Sequence, residues 1–116
     1  MAADPPYSRI RHAGPVAVTA GILGGRDGDL VTGGTAAELD QALSNLRSLL
    51  GGEDLLLRDV VRLVVYLVDI DDVDVLNEAF VRWFDEPRPA RTTVAVAALP
   101  GGAHVEIDAT VDARHG

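Results

Sequence analysis

The stretch "DVVRLVVYLVDI", residues 59–70, restricts the possible folds more than any other part of this chain. Its β-branched residues favour extended backbone, where successive side chains point to opposite faces. Val61, Leu63, Val65 and Leu67 then share one face, and Val60, Val64, Tyr66 and Val68 the other, with Arg62 among them. A strand apolar on both faces needs cover on both sides. The rest of the sequence supplies only two helical patterns, enough to cover one face. The other is left for a second subunit, so an oligomer is expected.

The first helical pattern is "GGTAAELDQALSNLRSLLGG", residues 33–52. Thr35 and Glu38 have capping-box spacing, and Leu39, Ala42, Leu43, Leu46, Leu49 and Leu50 form one apolar stripe. Gly51-Gly52 ends it. The second is "DDVDVLNEAFVRWFDEP", residues 71–87, with acids in its first turn and Val73, Leu76, Phe80, Trp83 and Phe84 turned to the sheet. Pro87 and Pro89 stop it. Strands are expected in "GPVAVTAGI" (14–22), in a brief run after the Asp27-Gly28 turn, at Thr92–Leu99 and at Val105–Val111. The order is β-β-β-α-β-α-β-β, an α+β fold with its helices on one face. Residues 1–116 are expected to form a single domain, with no internal repeat or linker.

Several function classes drop out on composition. No apolar run reaches the roughly 18 residues of a membrane span. "MAADPPYSRI" has an acid where a signal peptide carries bases, so a cytoplasmic protein is expected. The absence of cysteine excludes disulfides, thiolate zinc sites and a cysteine nucleophile. A net charge of −8 disfavours nucleic acid. Every basic residue is arginine, which excludes Schiff-base chemistry and a P-loop lysine. Gly24-Gly25 therefore reads as a hairpin turn, and Gly33-Gly34 as a flexible entry to the helix. His12, His104 and His115 lack metal-ligand spacing and read as surface residues, so no metal is expected.

Two charged residues break the apolar runs near the C-terminus. Arg91 stands at the mouth of one strand, and Glu106 alternates with Asp108 and Thr110 on the next. Taken alone, that alternation is the pattern of a solvated sheet face.

The pieces "PPYSRI", "VTAGI", "ALSNLRSLL", "VVRLVVYLVDIDDVDVLNEAF", "PARTTVAV" and "LPGGAHVEIDA", collinear from Tyr7 to Ala109, resemble the Rid family of reactive-intermediate deaminases, also called YjgF or L-PSP proteins. The resemblance implies a chorismate-mutase-like fold assembled as a homotrimer, with ligand sites in clefts between subunits. It implies hydrolysis of 2-imino acids and their enamine tautomers to 2-oxo acids and ammonia, with no metal or organic cofactor. By position, Arg91 matches the arginine that clamps the substrate carboxylate, and Glu106 the acid associated with the attacking water. Tyr7 matches the tyrosine at the pocket rim, Asn77 and the Gly21 backbone match further pocket contacts, and Thr93 stands where many members carry cysteine. A planar guanidinium grips a carboxylate with two parallel hydrogen bonds, and a partly buried glutamate can take a proton from water.

Two departures from the family are clear, one of them Ile22, which stands where a Gln often follows the matching glycine. The serine that commonly precedes the matching glycine is Ala20 here, and Thr19, one place earlier, points to the opposite strand face. Three readings stay open: an imine hydrolase, a non-catalytic trimeric binder of small 2-oxo or carboxylate ligands, and a Rid-fold enzyme with different chemistry. The ribonuclease activity of some family members is disfavoured by the acidic charge and the lack of aromatic-basic patches.

Overall fold

The structure is a computed structural model that describes residues 4–114. His115 lies outside the described residues. The strands are β1 (Ile10–Ala13), β2 (Val16–Thr19), β3 (Ile22–Leu23), β4 (Gly25–Arg26), β5 (Asp29–Leu30), β6 (Val60–Leu67), β7 (Ala90–Ala95) and β8 (Val105–Asp112). The helices are α1 (Gly34–Gly51), between β5 and β6, and α2 (Val73–Trp83), between β6 and β7. The sheet runs β1-β2-β8-β6-β7, and β3 also pairs with β8. All of its pairings are antiparallel except β6 with β7.

The two helices cover one face of this sheet, as the sequence leads one to expect. Leu39, Ala42, Leu43, Leu46 and Leu50 of α1 are sealed against Leu63, Val65, Leu67, Val105, Ile107 and Val111. Leu76, Ala79, Phe80 and Phe84 complete the layer, with Trp83 half-buried at its margin. The indole of Trp83 donates to Asp40 at 2.8 Å, joining α2 to α1. No helix is long and apolar enough to cross a membrane.

Five expectations change. The segment 14–22 is two strands, because the chain leaves the ladder at Ala20-Gly21 between the pairings Val18↔Thr110 and Ile22↔Ile107. An additional edge strand, β1, precedes it, its polar Arg11 and His12 concealing it in the sequence. The strand beginning near Thr92 ends at Ala95 and not at Leu99, since β7 pairs only with β6, which stops at Leu67. Val61 is 51% exposed and does not share the Leu63 face that simple alternation gives it, because a register shift between Val60 and Arg62 swings Val60 into the core instead.

The fifth correction concerns the capping box. The N-cap of α1 is Gly33, and no side chain caps the helix. Thr35 donates instead to Asp72 at 2.6 Å, just ahead of α2. Glu38, only 2% exposed, accepts the His104 backbone N–H at 2.8 Å and pairs with the His104 ring nitrogen Nδ1. Residues with cap spacing thus tie α1 to distant segments, which satisfies the same polar atoms by another route.

Two close approaches fix the hairpin β4–β5 on α1. Asn45 donates to the carbonyls of Leu23 and Gly25, at 3.1 and 2.8 Å. A Cβ on Gly24 would come within 2.2 Å of the Glu38 carbonyl oxygen, so only glycine lets the chain pass so near the helix.

Candidate active site

Strand register places Arg91 and Glu106 on opposite faces of the sheet. Arg91 pairs with Leu63, whose side chain is sealed beneath the helices. Glu106 pairs with Tyr66 on the uncovered face, where it is half-buried beside Asp108 and Thr110.

Around Arg91 the edge strand β7 meets α2. The guanidinium donates from Nη2 to Asn77 Oδ1 at 2.8 Å and lies over the Phe80 ring, 5.0 Å from its centroid. Asn77 and Phe80 are one helical turn apart, so they reach the strand from the same side of α2. Thr93, two residues along β7, shares the Arg91 face and is half-buried. Burial pulls the Arg91 pKa below the usual arginine value. It remains a cation, partly stripped of water and held by two neighbours, with the rest of its fork available to a carboxylate.

The Glu106 side is built by the break between β2 and β3. A Cβ on Gly21 would stand 2.6 Å from Glu106 Oε2, so the carboxyl occupies the space a larger residue would fill. Burial, and then the neighbouring Asp108 charge, raise the Glu106 pKa above the ordinary carboxylate value. Gly21 also lines an open groove of about 630 Å³ with Tyr7, Ala20, Ile22, Leu23 and Leu49. Tyr7 is exposed at its rim. Thr19 does not serve this groove: its hydroxyl donates to the Ala20 carbonyl at 2.8 Å and accepts the Ala109 N–H at 3.0 Å.

The matched residues therefore fall into two groups within one chain, Arg91–Asn77–Thr93 and Glu106–Gly21–Tyr7. The sequence reading assigned Phe80 to the core alone and missed that its ring also supports Arg91; the Asn77/Phe80 spacing was the available signal. It also missed the Tyr66–Asp108 hydrogen bond of 2.8 Å on the uncovered face. Among the described residues, no three His, Asp or Glu side chains gather as a metal site would require.

A β-sheet with two helices packed on one face is the architecture of the YjgF-type α+β proteins. The structure superimposes on RidA from Psychrobacter sp. PAMC 21119 with a TM-score of 0.90 at 37% identity, covering 96% of this chain and 91% of that one. It matches the YjgF gene product of E. coli with a TM-score of 0.87 at 28% identity, covering 95% and 90%. The family described as Endoribonuclease L-PSP matches residues 1–113. A Bos taurus protein named 2-iminobutanoate/2-iminopropanoate deaminase is 38% identical over 110 residues, 93% of this chain and 80% of its own length. Its Homo sapiens namesake is 37% identical over 106 residues, 90% and 77%. The chain belongs to the Rid family, the reactive-intermediate deaminases also known as YjgF or L-PSP proteins.

Proposed function

We propose that this protein hydrolyses reactive 2-imino acids and their enamine tautomers to 2-oxo acids and ammonia, in clefts between the subunits of a homotrimer. The observation that carries this reading is the separation of the two half-sites. Arg91 is fixed as an anion clamp on one face and Glu106 as a base on the other, and neither is complete alone. Joining one chain's Arg91 edge to a neighbour's uncovered face unites them. That face offers exposed Val16, Val18 and Val94, apolar surface that a second copy would bury. The named activity of the bovine and human relatives supports the same chemistry.

The steps follow from the groups present. Arg91 holds the substrate carboxylate and thereby fixes the adjacent imine carbon. Water attacks that carbon while its proton passes to Glu106, giving a carbinolamine. Glu106 returns the proton to the nitrogen, the C–N bond breaks and ammonia leaves, and the remaining hydroxyl gives its proton back to the Glu106 carboxylate as the C=O bond forms. That proton then passes to the ammonia, which departs as ammonium. The electrophile is the protonated imine itself.

The Ala20 position favours a second reading, a carboxylate binder without turnover, since no side-chain hydroxyl is presented beside Gly21. One experiment separates the two. Generate 2-iminobutanoate with an amino-acid oxidase, trap the remaining imine with semicarbazide, and compare its decay with and without protein. Acceleration is expected. Glu106→Gln is expected to cut turnover by about 10²–10⁴-fold while sparing ligand binding. Arg91→Ala is expected to weaken carboxylate binding by about tenfold or more, poorly rescued by Arg91→Lys. No acceleration with any imino acid leaves the binder. Sedimentation showing a stable monomer at micromolar concentration overturns the shared cleft.

A further inference from the structure

The uncovered face carries a second carboxylate that the mechanism above does not use. Asp108 lies two residues from Glu106 on β8, on the same side of the strand. Tyr66 pairs directly with Glu106 across the sheet, yet its hydroxyl reaches past it to donate to Asp108 Oδ2 at 2.8 Å. The Asp108 carboxylate is thus held in place beside Glu106. We propose that Asp108, anchored by Tyr66, is a positioning residue for the reaction whose fixed charge strengthens Glu106 as a base. This rests on Glu106 being the proton acceptor.

Within one chain the other charges around Glu106 leave this role to Asp108. The neighbouring chain's Arg91 that the proposed cleft adds has the opposite sign and is the same in the wild type and in every Asp108 variant. From β6, Arg62 faces the same side but is turned to the Thr92 hydroxyl at 2.9 Å on β7. From β3, Ile22 and Leu23 bring no titratable group, and on β7 Thr92 and Val94 bring none. Asp4, Arg9, Arg26 and Asp27 sit along the groove beyond Gly21, two of each sign. A like charge at a fixed short range makes a carboxylate hold a proton more tightly. A carboxylate near its usual pKa accepts a proton from water only weakly, so raising it toward neutrality improves the base. The direction found for Glu106, with Asp108 as the second cause after burial, agrees.

The test reads Glu106 directly. The chain has five glutamates, so protein labelled with ¹³C at glutamate Cδ gives few signals, and Glu106→Gln identifies the relevant one. Asp108→Asn is expected to lower the Glu106 midpoint by about 0.5–1 pH unit. The acid limb of kcat/KM should move down by the same amount. Asp108→Glu, which keeps the charge, should retain the wild-type midpoint. Asp112→Asn, further along the same strand face, should leave it unchanged. If the amide disturbs the sheet, Asp108→Ser supplies the same comparison. A Glu106 midpoint that stays put or rises when the Asp108 charge is removed overturns the proposal. Because the titration needs no turnover, an inactive wild type would sink the hydrolase reading separately.

Discussion

On the side of β6 turned to the helices, Leu63, Val65 and Leu67 are sealed from solvent; on the other, Val64 and Tyr66 are half-buried and Arg62 is exposed. The backbone is common to both sides, so the difference lies in what each is packed against. The covered side is a finished core of leucine, isoleucine and valine. The uncovered side mixes exposed valines with Arg62, Glu106 and Asp108, a poor core and the mixed composition of a contact surface. Stability is thus drawn from one side of the sheet, while the proposed assembly would use the other.

The largest expected effect tests the covered side. Leu46→Ala on α1 removes a fully sealed side chain and is expected to cost about 2–5 kcal/mol in denaturant unfolding. Val18→Ala, on the uncovered side, is expected to act mainly through the concentration dependence of the unfolding midpoint. Equal, concentration-independent losses would erase the distinction between the sides.

A smaller effect concerns the edge where the two sides are joined. Asn77→Ala removes the 2.8 Å hydrogen bond to Arg91 but leaves the Phe80 ring beneath the guanidinium. KM should rise by roughly tenfold, the scale of one hydrogen bond to a charged group, with kcat little changed. A fall in kcat alone would move Asn77 from the clamp to the chemistry.

The smallest effect has the opposite sign. The Glu106 pKa is raised in the folded chain, so folding favours its protonated form. That contribution is fully present below the unfolded pKa, near 4.5, and is lost as pH rises through the folded value. Glu106→Gln is therefore expected to make the folded chain slightly more stable at pH 7, by less than about 1 kcal/mol because solvent screens a half-buried group. The gain should vanish below pH 4. Parallel urea titrations of both proteins check it, and destabilisation at pH 7 would contradict the raised pKa of this carboxylate.

The covered side was legible in the sequence because helix and strand periodicities each report burial. The α1 leucines and the alternation through β6 and β8 sufficed for the α+β fold. What escaped were the departures from regular period. The bulge at Val61 and the break at Ala20-Gly21 each depend on the partner strand, which periodicity does not see. Thr35 and Glu38 matched a local cap but found partners 37 and 66 residues away. In the site, Arg91 and Glu106 were singled out through family likeness, since the alternation around Glu106 alone read as a solvated face. Their placement on opposite sides became visible only with the register of β6 against both neighbours.

The position of β8 has a consequence for how the protein is made. It is the middle of the sheet, yet it follows in sequence every strand it pairs with: β2, β3 and β6. While the chain emerges from the ribosome, those strands exist without the one that links them. Their backbone edges, and the apolar stripe of α1, stay exposed until residues 105–112 have been synthesised. A chain halted before residue 105 would therefore keep those edges unpaired, the condition in which strands pair with other chains.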